Sequence, residues 1–241
     1  AELSLLQLAT RSGFTPLELS PLAPLGNCSA LALVDQNKIV SALRGTEIVA
    51  DATNLLALEV CTRRKTSGFD FSVIHLATVQ RHVRAQALPP VKGFTAHFKI
   101  FCAVTAGRDT GNFGFEEESL LRHLTLYNDY LKEFVEPASV KIILKILEGA
   151  GSQLLSERIF NFLQPRLPGV SLSLITVPHD EHRYYQHLRF SVNVIHNRQE
   201  INLGDGGFVD WARKLTSNHK ERMLTSGLGL ELLLKMRNGL I

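Results

Sequence analysis

Two glycine-containing segments near the end of the chain constrain its fold most. Gly206 and Gly207 open the sequence GGFVD, and Gly227 and Gly229 lie in the sequence SGLGLEL, which ends at Leu232. Adjacent glycines let a backbone approach a ligand closely, because no Cβ intervenes. We therefore predict that the first pair lies in the floor of a pocket. The second pair suits a ligand or the close packing of a helix on a sheet, and the sequence leaves both uses open.

The composition fits one large domain over residues 1–241. Of the 241 residues 45% are hydrophobic and 20% charged, and the formal net charge of +3 is too small to indicate nucleic-acid binding by itself. Cys28, Cys61 and Cys102 lie far apart in apolar surroundings, which predicts buried thiols rather than a disulfide framework or a zinc ribbon. No apolar run is long enough to span a bilayer, and the first residues lack the features of a signal peptide. We expect a cytoplasmic protein without membrane contact.

Hydrophobic periodicity predicts a mixture of helices and strands. Helices are indicated in a segment that Asp51 can cap and at 3–13, 115–135, 153–163, 211–216 and 228–236. Strands are indicated at 14–19, 38–49, 73–84, 95–105, 140–147, 172–177, 188–195 and 199–203. A turn at 89–93 allows 71–86 and 95–105 to pair as a long antiparallel hairpin. The mixture predicts an α+β fold in which helices flank an antiparallel sheet.

Segments in the first half of the chain resemble motifs of one enzyme family, in the family's order. The sequence GFTPLELSPL at 13–22 resembles the first motif of class II aminoacyl-tRNA synthetases, in which a helix leads into a strand that ends at proline. The sequence DAT at 51–53 resembles the acidic-x-Thr element of this family, and QRHVRAQ at 80–86 resembles its second motif. Residues 93–98 resemble the strand that returns after that motif.

The second half continues this order. The sequence RYY at 183–185 resembles the end of the Arg-Gly-Leu-Asp-Tyr-Tyr element of histidyl-tRNA synthetase, and places Asp180 where that element has its arginine. GGFVD matches the Gly-Gly-x-x-Asp that follows, and SGLGLE matches the third motif up to Leu232, where the family has an arginine. The chain therefore resembles the catalytic core of histidyl-tRNA synthetase and its non-catalytic relative, the regulatory subunit of ATP phosphoribosyltransferase.

The resemblance implies a class II synthetase-like core and a set of ligand-binding residues. They are Asp51, Thr53, Arg84, Gln86, Tyr184, Tyr185, Gly206, Gly207, Gly227 and Gly229. In the family the acid at Asp51 binds the amino group of the ligand, and the arginine at Arg84 meets an α-phosphate and a carboxylate. Asp51 is equally suited to cap a helix, which would require its side chain to turn if it also bound a ligand. The tyrosines are equally suited to strand packing.

The arginine that Leu232 replaces binds ATP in the family. Adenylation joins a carboxylate to a triphosphate, and arginine stabilises the charge that develops because its planar fork grips phosphate. The resemblance implies ATP and Mg as the cofactors of an active core, but Leu232 and Asp180 remove two arginines from it. Histidine activation is therefore not expected. Arg44, Arg81 and Arg108 are candidates to replace the lost charge from new positions.

Two other polar groupings carry weaker signals. His179, His182 and His187 have a spacing that could suit a metal, but the segment reads as a polar loop, so we expect no metal site. The glycine-rich segment 107–114 precedes a helix and could cradle an anion. Its lack of a Gly-Lys-Ser/Thr ending and the acids at 116–118 favour a connecting loop.

These residues support three hypotheses of function. The first is a synthetase-like protein that binds a small amino-acid-like or nucleotide ligand, regulates a partner enzyme and does not charge tRNA. The second is an ATP-dependent ligase that adenylates another carboxylic or amino acid, with Arg84 on the α-phosphate. The third is a structural dimerisation module. From the resemblance we also expect a homodimer formed through residues 3–22, and no anticodon-binding domain.

Overall fold

The computed structural model of the protein describes residues 1–68, 70, 72–85, 87, 94–135, 139–149, 151–178, 184–196 and 199–240. The α-helices in this part of the chain are α1 (Glu2–Arg11), α2 (Asn27–Ala32), α3 (Ala52–Thr66), α4 (Gly114–Phe134), α5 (Ser152–Leu163), α6 (Trp211–Thr216) and α7 (Leu230–Arg237). Short 3-10 turns cover Gln36–Lys38 and Gln164–Arg166. Apart from α2, the sequence predicted each of these helices. None of them has the length and apolar character needed to cross a membrane.

Helix α4 shows how the sequence determines the packing. Leu120, Leu124, Tyr127 and Leu131 recur at helical spacing and are fully buried. Acidic residues in the first turn suit the positive end of the helix dipole. The helix therefore lays one apolar stripe against the sheet.

The described strands lie at intervals along the whole chain. They are β1 (Thr15–Pro16), β2 (Leu22–Pro24), β3 (Thr46–Ile48), β4 (Ile74–Val83), β5 (His97–Arg108), β6 (Ser139–Leu147), β7 (Ser171–Val177), β8 (Tyr185–His196), β9 (Gln199–Val209) and β10 (Glu221–Gly229). The predicted pairing of these strands is confirmed, because β4 and β5 pair antiparallel from Ile74 opposite Ala106 to Val83 opposite His97. The turn predicted at 89–93 lies outside the described residues. The predicted strands at 14–19 and 38–49 shrink to β1 and β3.

Among the described residues, eight strands form one sheet in the order β1-β4-β5-β10-β9-β8-β6-β7, and β2 pairs with β3 separately. The α+β class is confirmed, and the predicted antiparallel sheet is confirmed in part, because the central pairs of strands are antiparallel. The outer pairs β1-β4 and β6-β7 are parallel, so the sheet is mixed. For β6 and β7 the reason is their connection, because α5 carries the chain from β6 back to the start of β7, and such a crossover joins parallel neighbours.

Strand β10 was not predicted, and the helix expected at 228–236 begins two residues later, at Leu230. The strand lies between β5 and β9 and is buried along both faces from Met223 to Leu228. A strand buried on both sides has no alternation of polar and apolar residues to reveal it. The glycines of SGLGLEL therefore lie in a central strand and at the start of the helix after it.

The two faces of the sheet are covered differently. Helices α1, α4 and α5 cover what we term the closed face, where one apolar cluster includes Leu224 of β10. Helices α3 and α6 cover part of what we term the open face, where a second cluster includes the preceding residue, Met223. Successive residues of a strand point to opposite faces, so each strand contributes to both clusters. The part of the open face beyond α3 and α6 contains a cavity.

Candidate ligand-binding site

A cavity of about 410 Å³ opens on the open face, between the first turn of α3 and strands β5, β9 and β10. Its wall combines ionisable and aromatic side chains. Asp51, Arg84, Lys99, Asp205 and Glu231 supply the ionisable carboxylates and cations of this wall. The aromatic part is formed by Phe94, Phe98, Tyr184, Tyr185 and Trp211. A concave site with a few polar groups among aromatic walls is typical of small-molecule binding.

Asp51 both caps α3 and lines the cavity. Its Oδ1 accepts hydrogen bonds from the Thr53 backbone N–H at 2.9 Å and from the Thr53 hydroxyl at 2.7 Å. These bonds satisfy the start of the helix and fix the carboxylate. Because the cap engages Oδ1 alone, the two roles that the sequence suggested for Asp51 are compatible without any turn of its side chain.

Arg84 follows the end of β4 and lines the cavity beside Phe98. Its Nε donates a hydrogen bond to the Ala50 carbonyl at 3.2 Å, and its guanidinium carbon lies 5.2 Å from the centre of the Phe98 ring. The bond through Nε fixes the position of the side chain. It does not use the two terminal nitrogens of the guanidinium group. Arg84 is therefore a positioned cation, suited to a carboxylate or a phosphate.

Asp205 lies in β9 between Gly204 and Gly206 and faces the same cavity. Its side chain is exposed to the cavity, but protein surrounds it on the remaining sides. Burial raises the pKa of the Asp205 carboxyl above its ordinary value, and the nearby Asp51 carboxylate raises this pKa further. A charged carboxylate without close compensation is costly in such a place. Asp205 was not among the residues predicted from the sequence.

Tyr184, Tyr185 and Trp211 form an aromatic side of the cavity. The two tyrosine rings lie 4.4 Å apart between centres, and the Tyr184 and Trp211 rings lie 6.0 Å apart. Burial, with Asp51 and Asp205 as lesser causes, raises the pKa of Tyr184 to about 12. The Tyr184 hydroxyl therefore stays protonated at neutral pH and remains a hydrogen-bond donor.

His82 and Cys102 lie at the base of the cavity and carry no charge at neutral pH. His82 Nε2 accepts the Ala52 N–H at 3.0 Å, which places the ring proton on Nδ1, and burial lowers the pKa of His82 to about 4. Burial also raises the pKa of the Cys102 thiol well above its ordinary value, which argues against a nucleophile.

Asp51, His82 and Cys102 offer ligand atoms within 4.8 Å of one another, which is close enough for a metal. A metal on His82 Nε2 would have to displace the Ala52 N–H, and the thiol would have to lose its proton. This donor set therefore fits a metal poorly. Their separation in sequence gave no spacing that could have revealed the cluster.

The structure brings most of the predicted site residues to the cavity. The ones that line it are Asp51, Thr53, Arg84, Tyr184, Tyr185, Gly227 and Gly229. Gln86 and the histidines at 179 and 182 lie outside the described residues. Leu232 lines the cavity, whereas Arg44 and Arg108 are not among the described residues that do so. One terminal nitrogen of Arg81 lies 2.6 Å from a carboxylate oxygen of Glu231, and the other lies 3.0 Å from His97 Nδ1.

Gly206 and Gly207 depart from the prediction, because they serve packing between strands and do not line the cavity among the described residues. A Cβ on Gly206 would lie 2.5 Å from the Thr225 carbonyl oxygen and 2.6 Å from Phe190. A Cβ on Gly207 would lie 2.6 Å from the Tyr185 ring. The GGFVD segment is therefore glycine-rich because neighbouring strands and rings occupy the space of its side chains.

Comparisons of the whole chain give structural likenesses and no sequence match. No family model matches the chain, and no curated protein sequence matches it. Its structure is similar to that of apo histidyl-tRNA synthetase of S. aureus, with a TM-score of 0.72 and 15% identity over 98% of this chain. It is also similar to an ATP phosphoribosyltransferase regulatory subunit/histidyl-tRNA synthetase from Bacillus halodurans, with a TM-score of 0.67 and 13% identity over 97% of this chain.

A third similar structure is the RNA binding domain of the threonyl-tRNA synthetase of Cryptosporidium parvum, with a TM-score of 0.70 and 11% identity over 99% of this chain. The chain spans 64% of the S. aureus structure, 78% of the Bacillus halodurans structure and 64% of the Cryptosporidium structure. At these identities the likeness concerns the fold alone. Because it extends over nearly the whole chain and agrees with the order of the sequence motifs, the protein has a class II aminoacyl-tRNA synthetase-like core.

Proposed function

We propose that this protein holds a small amino-acid-like ligand in its cavity and does not activate that ligand with ATP. The observation that carries the proposal is the presence of Asp51 and Arg84 in one cavity whose wall also contains Leu232. Asp51 suits an ammonium group, and Arg84 suits a carboxylate. An amino acid offers both groups, so it would satisfy both side chains at once.

The cations of the cavity support binding without adenylation. A triphosphate needs several positioned cations around the reacting phosphate. The described lining has Arg84 and Lys99 as its cations, and Lys99 Nζ already lies 2.5 Å from the Glu2 carboxylate. Leu232 cannot supply a charge-assisted hydrogen bond, which contributes roughly 1.5–3 kcal/mol. The negative charge of a nucleoside triphosphate would be poorly neutralised in this cavity.

A regulatory role follows from a site that binds an amino acid and does not consume it. One of the similar structures carries the name of a regulatory subunit of ATP phosphoribosyltransferase. A ligand that favours one conformation of this chain would change the surface that it presents to a partner enzyme. We include such a partner in the proposal.

The test is calorimetry with each of the standard amino acids, in the presence and absence of ATP with magnesium, together with an assay of pyrophosphate release. We expect at least one amino acid to bind, with an affinity that ATP does not change and without pyrophosphate release. Asp51→Asn should weaken that binding by about tenfold or more, because it removes a charge-assisted contact.

The matched control is Asp129→Asn, since Asp129 is an exposed acid on α4 outside the cavity lining. It should bind the amino acid like the wild type. Sustained pyrophosphate release with one acid would overturn the proposal, and its loss in Arg84→Ala would assign an ATP-dependent ligase instead. Failure of every amino acid to bind would also overturn it and would favour a structural module.

A further inference from the structure

Among the described residues, the cavity wall has more acidic than cationic side chains. Two of its charged residues, Lys99 and Glu231, already form ion pairs at its edge. Lys99 Nζ lies 2.5 Å from Glu2, and Glu231 lies 2.6 Å from Arg81. Each pair joins one cation and one anion, so neither contributes net charge to the cavity. The charge that a ligand must neutralise comes from the remaining ionised groups.

Among the lining residues that the structure describes, the remaining charged groups are two carboxylates, Asp51 and Asp205, and one guanidinium, Arg84. His82 is neutral because burial lowers its pKa to about 4. When both acids are ionised, the described lining has one negative charge in excess, which Arg189 and Lys145, outside the lining, offset only in part at Asp205. A ligand with two cationic groups and one carboxylate would match these three groups one for one.

Asp205 is the residue that makes the excess. None of the described residues makes a hydrogen bond or an ion pair with its carboxylate. Strand β9 fixes its direction, since the adjacent Gly206 packs on Phe190 of the closed face and the alternation of a strand turns Asp205 to the open face. A fixed carboxylate with free acceptor positions in a cavity is suited to a cation from the ligand.

The aromatic wall favours the same kind of ligand. Phe98, Tyr184 and Trp211 line the cavity together with Asp205, and aromatic faces attract ammonium and guanidinium groups. The Trp211 side chain is 1% exposed, and its Nε1–H has no hydrogen-bond partner among the described residues. Trp211 therefore lies behind the wall, whereas Phe98 and Tyr184 are only partly buried and present more of their rings to the cavity.

We propose that the cavity selects a basic amino acid, of the lysine, ornithine or arginine class, and that Asp205 determines this selectivity. The α-ammonium group lies at Asp51, the α-carboxylate at Arg84, and the cationic end of the side chain at Asp205 among the aromatic rings. The inference rests on the proposed function, because it assumes that the cavity binds an amino acid. It excludes nucleotides and acidic amino acids as ligands, since they would add negative charge to an excess of negative charge.

Calorimetry with pairs of similar shape tests this selectivity. Lysine is compared with norleucine, which lacks the side-chain ammonium, and arginine with citrulline, which lacks the charge. We expect one basic member to bind at least about tenfold more tightly than its neutral counterpart. In Asp205→Asn that preference should fall below about twofold, in Asp205→Glu it should persist, and in the control Asp129→Asn it should be unchanged.

The outcomes separate this inference from the proposed function. Equal affinity for norleucine and lysine and for citrulline and arginine would overturn the inference, as would a preference that survives Asp205→Asn. Binding of a neutral or acidic amino acid without any basic one would overturn it as well, but would leave the proposed function in place. If no amino acid binds, both fail. Far-ultraviolet circular dichroism and urea unfolding of Asp205→Asn establish that a lost preference comes from a folded protein.

Discussion

The closed and open faces of the sheet both bury polar side chains, but they treat them differently. On the closed face, His75 Nδ1 lies 2.9 Å from the Thr105 hydroxyl, which lies 2.8 Å from His123 Nε2. His123 Nδ1 lies 2.7 Å from the Ser226 hydroxyl, and that hydroxyl lies 2.5 Å from the Tyr127 hydroxyl. We term these five residues the closed-face network. Every side-chain polar atom of Thr105, His123, Ser226 and Tyr127 is hydrogen-bonded within this network.

The open face leaves polar groups without partners among the described residues. Asp205 faces the cavity without an ion pair, and both Trp211 Nε1 and His82 Nδ1 are buried without a hydrogen bond. Buried polar groups in native proteins are normally paired, and exceptions need an explanation. The comparison indicates that the closed-face network stabilises the fold, and Asp205 on the open face is the group that we propose serves a ligand.

The largest effect expected from this comparison is a loss of stability in acid. Burial lowers the pKa of His75 and His82 to about 4 and the pKa of His123 to about 3, from an ordinary value of 6.5. Below pH 6.5 the unfolded chain therefore binds protons at these histidines, whereas the folded chain does not. Stability is fully present above pH 6.5 and falls as the pH is lowered towards 4. The buried His82 and His123 should each cost about 1.5 kcal/mol between pH 6.5 and 5, and the half-buried His75 less, because solvent screens its charge.

Urea unfolding at pH 7.5, 6.5, 5.5 and 5.0 measures this loss. His123→Gln should reduce the slope of the unfolding free energy against pH. The variant lacks one of the three histidines that bind a proton only in the unfolded chain. His219→Gln, at an exposed histidine, is the control and should leave the slope unchanged. A wild-type stability that does not change over this range would show that these histidines are not held neutral by the fold.

The second prediction compares one glycine on each face. A Cβ on Gly206 would lie 2.5 Å from the backbone oxygen of Thr225, which the sheet cannot move, so Gly206→Ala should cost about 1–3 kcal/mol through overpacking. A Cβ on Gly227 would meet Ile100 Cδ1 at 3.0 Å, and the end of that side chain can shift. Gly227→Ala should therefore cost less than about 1 kcal/mol.

Urea unfolding of the two variants at pH 7.5 makes this comparison directly. Calorimetry on Gly227→Ala adds a second measurement, because the new methyl group narrows a cavity that Gly227 lines. We expect weaker ligand binding in a protein of nearly normal stability. Equal destabilisation by the two substitutions would show that the glycines of the open face are as tightly packed as Gly206.

The fold could be predicted from the sequence where one face of an element is apolar and the other is not. Helix α4 carries such a pattern and was predicted nearly to its ends. Strand β5 is buried on both faces from Phe101 to Gly107, but the predicted turn at 89–93 made it the partner of β4. Strand β10 carries no such pattern, because both of its faces are buried. The parallel pairing of β6 with β7 was also missed, since the direction of a strand depends on the connection and not on the pattern of its own residues.

The candidate site could be predicted where a motif fixes a position, and not where two strands meet. Asp51, Arg84 and Tyr184 follow from local motifs, and all three line the cavity. Asp205 was missed because the predicted strand ended at residue 203. Extending the alternation of β9 through 209 would have turned Asp205 and Gly206 to opposite faces. That step requires the register with β10, which a single sequence does not provide.

The smallest effect comes from removing one polar group from each face while keeping its shape. Tyr127→Phe removes a hydroxyl that lies 2.5 Å from Ser226, so it should cost about 0.5–1.5 kcal/mol at pH 7.5. Asp205→Asn removes a charge that has no partner among the described residues, and it should leave the protein at least as stable as the wild type. Urea unfolding of both variants makes the comparison.

The pH dependence of Asp205→Asn gives the sign of this effect. Burial and then Asp51 raise the pKa of Asp205 above 3.8, while Arg84, Arg189 and Lys145 act in the opposite sense. Because the folded pKa is raised, the favourable contribution of protonated Asp205 is present below pH 3.8 and disappears as the pH rises through the folded pKa. The free energy of unfolding of Asp205→Asn, relative to that of the wild type, should therefore increase as the pH rises through that range. A variant less stable than the wild type at pH 7.5 would mean that the Asp205 carboxylate supports the fold. The open face would then resemble the closed-face network in bonding its polar groups internally.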